Sequence, residues 1–264
     1  MSKTSAAFAA VLTMTSLALS MGAQSTSALA AEEVDLELVL AADGSGSIDS
    51  DELRLQREGW GSALTSPEVL NGIRDGLTGK IVVAYVEWGG PDSQVTVVDW
   101  QVIKDAASAA DFAEKLRTRP RGAYGYNSIS NAIDYAVNMV ETNAYEGIRK
   151  IIDVSGDGPN IGGRPLAAAR GDALAKGFTI NALAIRRPGG RPGGPGGMAL
   201  ETYYGEAVIG GPGSFVEIAD SQTPFALAAK RKLVQEIAGR PLETHRFAYD
   251  YAIPGRGASN TAQR

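Results

Sequence analysis

From Val34 to Ala42 the chain reads Val-Asp-Leu-Glu-Leu-Val-Leu-Ala-Ala, alternating at first and then continuously apolar. A strand with no polar face must be covered on both sides, which puts it in the middle of a mostly parallel sheet. The rest of the chain fits that frame, because short β-rich runs alternate with amphipathic helical segments. Gly79 to Trp88 reads as a second strand, and Gln94 to Val102 follows closely enough to pair with it as an antiparallel hairpin. Arg149 to Ser155, Phe178 to Ile185 and Ser214 to Ala219 supply three more strands.

The helical segments carry their own signals. Asp49 stands three residues before Glu52, the pattern of a capping box that opens a helix. Ala106 to Arg117 is helical by period, with Ala110, Phe112, Ala113 and Leu116 for burial. Ser130 to Glu141 places Ala132, Ile133, Ala136, Val137 and Val140 on one stripe. Pro165 to Lys176 is stopped by Gly177, and Phe225 to Ala238 closes the domain. Arg186 to Gly197 is rich in Pro and Gly and is expected to hold no regular structure. The fold class that follows is α/β: a doubly wound, mostly parallel six-stranded sheet with helices on both faces.

The ends differ from the middle. Lys3, an apolar run from Ala6 to Met21 and the small-x-small close Ala28-Leu29-Ala30 form the pattern of a secretory signal over residues 1–30, cut after Ala30. The run is too short, and too interrupted by Thr and Ser, to span about 30 Å of hydrocarbon. The expectation is an exported protein, periplasmic or secreted, with no stable membrane insertion after cleavage. Residues 31–239 form one domain, and residues 240–264 read as a flexible tail containing the lone His245.

Composition narrows the chemistry. The chain has no cysteine, which removes disulfides, thiolate metal sites and thiol nucleophiles together. With one histidine, placed in the tail, a histidine base or histidine-built zinc site has nothing to stand on. The net charge of −5, without a basic run, argues against a nucleic-acid partner.

Chemistry concentrates at the end of the first strand. Asp43, Ser45 and Ser47 alternate with glycines, so a sharply turning loop can aim three oxygens at one point. Hard cations such as Mg²⁺ favour oxygen ligands and retain some waters. Further oxygens are offered by Gly156-Asp157-Gly158 after the fourth strand and by Asn127-Ser128-Ile129-Ser130 before a helix. Sites in doubly wound sheets form at the C-terminal strand ends, where adjacent first and fourth strands would bring Asp43 and Asp157 together. A dinucleotide loop is the poorer reading of Gly44-x-Gly46, since a third glycine is missing and Asp43 would repel a pyrophosphate.

These segments resemble the metal-ion-dependent adhesion site of von Willebrand factor A domains: Asp43-x-Ser45-x-Ser47, a later polar loop, and Asp157-Gly158. Val154 to Asn160 and Tyr203 to Gly213 are similar, more narrowly, to a bacterial family of von Willebrand A-like proteins of unknown function. The resemblance covers Val34 to Ala238. It implies strand order 3-2-1-4-5-6 with the third strand antiparallel at the edge. It also implies one divalent cation (Mg²⁺, or Mn²⁺ or Ca²⁺) on Ser45 and Ser47, with Asp43 and Asp157 acting largely through water. One open position would accept a carboxylate of a partner protein. The family's loop usually supplies Thr; here Asn127 stands in that place, with Ser128 or Ser130 as alternatives.

Function is then expected to be protein binding through the metal face. A metal-dependent phosphoester hydrolase and a cation-stabilised structural protein are the alternatives, and catalytic residues are not assigned. Asp153 reads as a structural carboxylate, and Trp88 and Trp100 as packing residues. Tyr124 and Tyr126 fit either core or interface. Arg186, Arg187 and Arg191 are expected to form a mobile basic flap beside the cation.

Overall fold

The computed structural model describes residues 31–187 and 193–238. The signal segment and its cleavage point, Arg191, His245 and the tail from residue 240 lie outside the described residues. Chain order is β1 (Glu32–Asp43), α1 (Ser50–Leu64), α2 (Pro67–Arg74), β2 (Ile81–Trp88), β3 (Gln94–Ile103), α3 (Ala106–Thr118), α4 (Ile129–Glu141), β4 (Tyr145–Gly156), α5 (Leu166–Ala175), β5 (Thr179–Ile185), α6 (Leu200–Tyr203), β6 (Val216–Ala219) and α7 (Phe225–Ala238). The sheet runs β3-β2-β1-β4-β5-β6, and only the β2–β3 pairing is antiparallel. This is the order implied by the resemblance.

β1 is buried on both faces because its side chains divide between two cores. Leu36, Leu38, Leu40 and Ala42 join Trp60, Phe112 and Leu233 under α1, α3 and α7. Val39 and Ala41 join Ile133, Ala136 and Val140 of α4 on the other side. The period-2 alternation therefore survives inside an apolar strand as a choice between two apolar layers.

α1 begins as expected. The Asp49 carboxylate accepts from the Asp51 and Glu52 N–H groups at 2.8 Å each, and Glu52 accepts from the Asp49 N–H at 3.0 Å. The stripe on α4 is buried as read.

Five elements differ from that reading. α3 buries Ala109 rather than Ala110. β4 starts four residues before Arg149. α2 and the short α6, which continues into a π-helical turn over Tyr204–Val208, were not anticipated. The Pro/Gly segment also contains a 3₁₀ turn at Pro195–Gly197, so part of it is regular. Among the described residues no helix is long and apolar enough to cross a membrane.

Candidate metal centre

The parallel register pairs Ala42 with Ser155 and Asp43 with Trp88, so β1, β2 and β4 end at one level. Chain leaving β1 and β4 therefore meets above the sheet. The Gly44–Ile48 loop is held from outside. Its Gly44 N–H donates to Trp88 O and its Gly46 N–H to Gly125 O, both at 2.8 Å. Arg121 Nη2 donates to the carbonyls of Gly44, Ser45 and Ile48 at 2.7, 2.7 and 2.8 Å, while its guanidinium rests on the Tyr124 ring. With those carbonyls engaged, the side-chain oxygens are what the loop presents inward.

Those oxygens form a connected set. Ser45 N–H donates to Asp43 Oδ1 at 2.7 Å, and the Ser45 and Ser47 hydroxyls lie 3.0 Å apart. Ser47 Oγ donates to Asp157 Oδ1 at 2.9 Å, and the Asp157 N–H approaches Asp43 Oδ2 at 3.5 Å. Burial and the neighbouring Asp157 charge, in that order, push the Asp43 carboxyl up to about 7. Two carboxylates crowded beside two neutral hydroxyls are a donor set that a hard dication suits, because it supplies the missing charge. Gly156 makes the crowding possible. A Cβ there would lie 2.8 Å from Tyr204 Oη and 3.1 Å from both Asp43 Oδ2 and Trp88 Cζ2.

Asn127 is held beside Gly158, the residue after Asp157. Its carbonyl accepts from the Ile161 and Gly162 N–H groups at 2.8 and 3.1 Å. Its side-chain amide lies against Gly158, where a Cβ would come within 2.6 Å of Nδ2. Ser128 and Ser130 are turned elsewhere. Ser128 Oγ donates to Asn131 Oδ1 and Gly162 O at 2.8 and 3.0 Å, and Ser130 Oγ reaches the same two acceptors at 3.3 and 3.4 Å. Among the described residues no group of three or more His, Cys, Asp or Glu side chains forms a metal-binding cluster. The connected set has two hydroxyls beside its two carboxylates.

Arg187 adds a charge at this point. Its Nη2 lies 2.9 Å from Asp157 Oδ2 and also donates to Ser47 O. Its Nε and Nη2 grip the two Glu52 oxygens at 2.8 Å each. Arg186 faces Glu201 instead, at 3.5 Å. The expected flap thus divides, with one arginine on the site and one away from it. Tyr203 and Tyr204 also support the site, through an Asn160 N–H to Tyr203 Oη bond at 3.2 Å and a Tyr204 Oη to Gly158 O bond at 3.0 Å. Tyr124, Tyr126 and Ile161 are exposed, so the two tyrosines are not core residues.

A family model described as "Protein of unknown function (DUF1194)" matches residues 33–241. No curated protein matches the chain. Solved structures do. A von Willebrand factor type A protein from Catenulispora acidiphila is 18% identical with a TM-score of 0.53, over 78% of this chain and 42% of its own. The pilus adhesin SpaC from Lactobacillus rhamnosus GG is 15% identical with a TM-score of 0.54, over 79% and 31%. Proximal thread matrix protein 1 from the mussel byssus, in a form with a zinc-occupied MIDAS motif, is 17% identical with a TM-score of 0.51, over 79% and 46%. The chain spans less than half the length of each of these structures. At such identities the likeness concerns the fold.

Proposed function

The chain belongs to the family described as protein of unknown function DUF1194, and we propose that its von Willebrand A-like domain is an exported protein-binding module that engages an acidic side chain of its partner through one divalent cation. The connected set Asp43–Ser45–Ser47–Asp157 is the observation that carries this reading. Ser45, Ser47 and Asn127 would give neutral oxygens to the ion, and Asp43 and Asp157 the negative charge. A dication, when bound, would supply a Lewis-acidic centre that accepts a partner carboxylate. Few charged ligands would leave such an ion electrophilic, which favours an anionic partner. Mg²⁺ is the first candidate, with Mn²⁺ or Ca²⁺ as substitutes. The exposed Tyr124, Tyr126 and Ile161 would give the partner apolar contact around the charged centre. Export rests on the signal-like residues 1–30, with periplasm or full secretion as the destination.

The test is calorimetric titration of Mg²⁺, Mn²⁺ and Ca²⁺ into chelator-stripped mature protein, beside Asp43→Ala. Saturable one-site binding that the variant loses is the expected result. Wild-type protein that takes up none of the three ions overturns the metal part of the reading.

A further inference from the structure

We infer that Arg187 is a resident counter-ion of the metal centre and competes with the divalent cation for Asp157, thereby setting the site's metal affinity. This rests on the metal-binding reading above. The starting observation is that both oxygens of Asp157 are already engaged: Oδ1 accepts from the Ser47 hydroxyl at 2.9 Å, and Oδ2 lies 2.9 Å from the Arg187 guanidinium. The Asp157 side chain is only 6% exposed and the Arg187 side chain 40%, so solvent screens the contact from the arginine side alone.

The guanidinium is aimed rather than loosely placed. The Arg186 N–H donates to Ala219 O at 2.8 Å, which pins the chain one residue before Arg187 to the end of β6. At the other end, Glu52 is oriented by its capping bond to the Asp49 N–H, and the same carboxylate receives Arg187 as a two-pronged partner. Arg187 therefore bridges Glu52, at the start of the helix that follows the Asp43 loop, and Asp157, just after β4. Guanidinium never loses its charge at any working pH, so only another cation can relieve it of Asp157. A dication drawing on the Asp157 carboxylate must weaken the Arg187 contact, while the grip on Glu52 can persist. A monovalent ion brings half the charge to that exchange and is the weaker competitor.

The experiment is titration of Mg²⁺ and Mn²⁺ into chelator-stripped wild type, Arg187→Gln, Arg187→Lys and Arg186→Gln, with thermal melts of each protein with and without metal. Arg186→Gln removes the same charge one residue away from a side chain that faces Glu201, and so reports the general field. Arg187→Gln is expected to bind metal about tenfold more tightly than wild type, and Arg187→Lys to fall between them. Arg186→Gln should stay within about twofold of wild type. The metal-free Arg187→Gln protein should melt lower than wild type, and saturating metal should close that gap. Binding by Arg187→Gln alone, with none by wild type, supports the inference in its strongest form. Equal affinities for wild type and Arg187→Gln overturn it and leave the metal reading intact, as does weaker binding by Arg187→Gln. No binding by any of the four proteins overturns both.

Discussion

Asp43 is the residue on which the centre turns, and its environment makes a pH prediction. Burial first, then the Asp157 charge, raise it from 3.8 to about 7. Since the folded value exceeds the unfolded one, this group's contribution to stability is full below about pH 4 and is lost as pH rises through about 7. Metal-free protein is therefore expected to melt at a lower temperature at pH 8 than at pH 5.5, with Asp43→Asn flatter across that window. Metal should reverse the trend, because it needs the ionised carboxylate, so the Mg²⁺-induced rise in melting temperature grows with pH. Melting curves of both proteins, with and without Mg²⁺, check this. Gly156 carries a second prediction. Its Cβ would press on Trp88, which is fully buried and fixed by an Nε1 bond to Ala41 O at 2.9 Å. Gly156→Ala should cost about 1–3 kcal/mol in urea unfolding and impair metal uptake by displacing Asp43.

Among the elements, α1 is tied to the loop that carries Arg121 through a buried ion pair. Arg57 donates from Nε and Nη2 to Glu87 Oε1 at 2.8 and 2.6 Å, while Gly122 N–H donates to Glu87 Oε2 at 2.7 Å. Arg57 also reaches the carbonyls of Arg119 and Pro120. Glu87→Ala leaves the Arg57 charge buried without its partner and is expected to cost about 3–5 kcal/mol by chemical denaturation. Because Arg121 holds three carbonyls of the Gly44–Ile48 loop, the variant should also bind metal more weakly if that loop holds the proposed ion. Which elements could be read from the chain follows from local contrast. The α1 capping box and the α4 stripe are signals contained within a few residues. α2 is eight residues long with only Val69 and Ile73 buried, too brief for a period to show. In α3 the run Ala106-Ala107-Ser108-Ala109-Ala110 has no contrast between faces, so Ala109 and Ala110 cannot be told apart by pattern. The π-helical turn after α6 breaks the 3.6 period outright.

At the scale of the whole molecule, what could be read was whatever the strand ends dictate. Asp43 and Asp157 meet because β1 and β4 are neighbours in register, and a doubly wound sheet makes that placement predictable. Arg187 joins Glu52 across 135 positions of sequence, and nothing local announces such a pair. The same holds for the charges under α7. Lys232 is fully buried, with Nζ 3.0 Å from Glu236 Oε1, 3.4 Å from Asp153 Oδ1 and 4.5 Å from the centre of the Phe215 ring. Asn181 of β5 donates to the same Glu236 oxygen at 2.7 Å, so the cluster joins α7 to two central strands. Asp153 is thus the structural carboxylate its position in the strand suggested. Burial raises its pKa well above the usual carboxylate range, and Lys232 opposes that rise. Lys232→Met removes the cation that opposes this rise and should cost about 3–5 kcal/mol at pH 8. A carboxyl raised in the folded state stabilises the fold at low pH and stops doing so as pH climbs through its folded value. The Lys232→Met loss should therefore shrink as pH is lowered, the direction in which Asp153 is neutralised. Adding Asp153→Asn and Glu236→Gln to Lys232→Met should recover most of the remainder, since no uncompensated charge is left inside. Urea unfolding of the single and triple variants at pH 8 and at successively lower pH decides it. A triple variant as unstable as Lys232→Met would mean that Lys232 acts through packing and its contact with Phe215, not through the charges it neutralises.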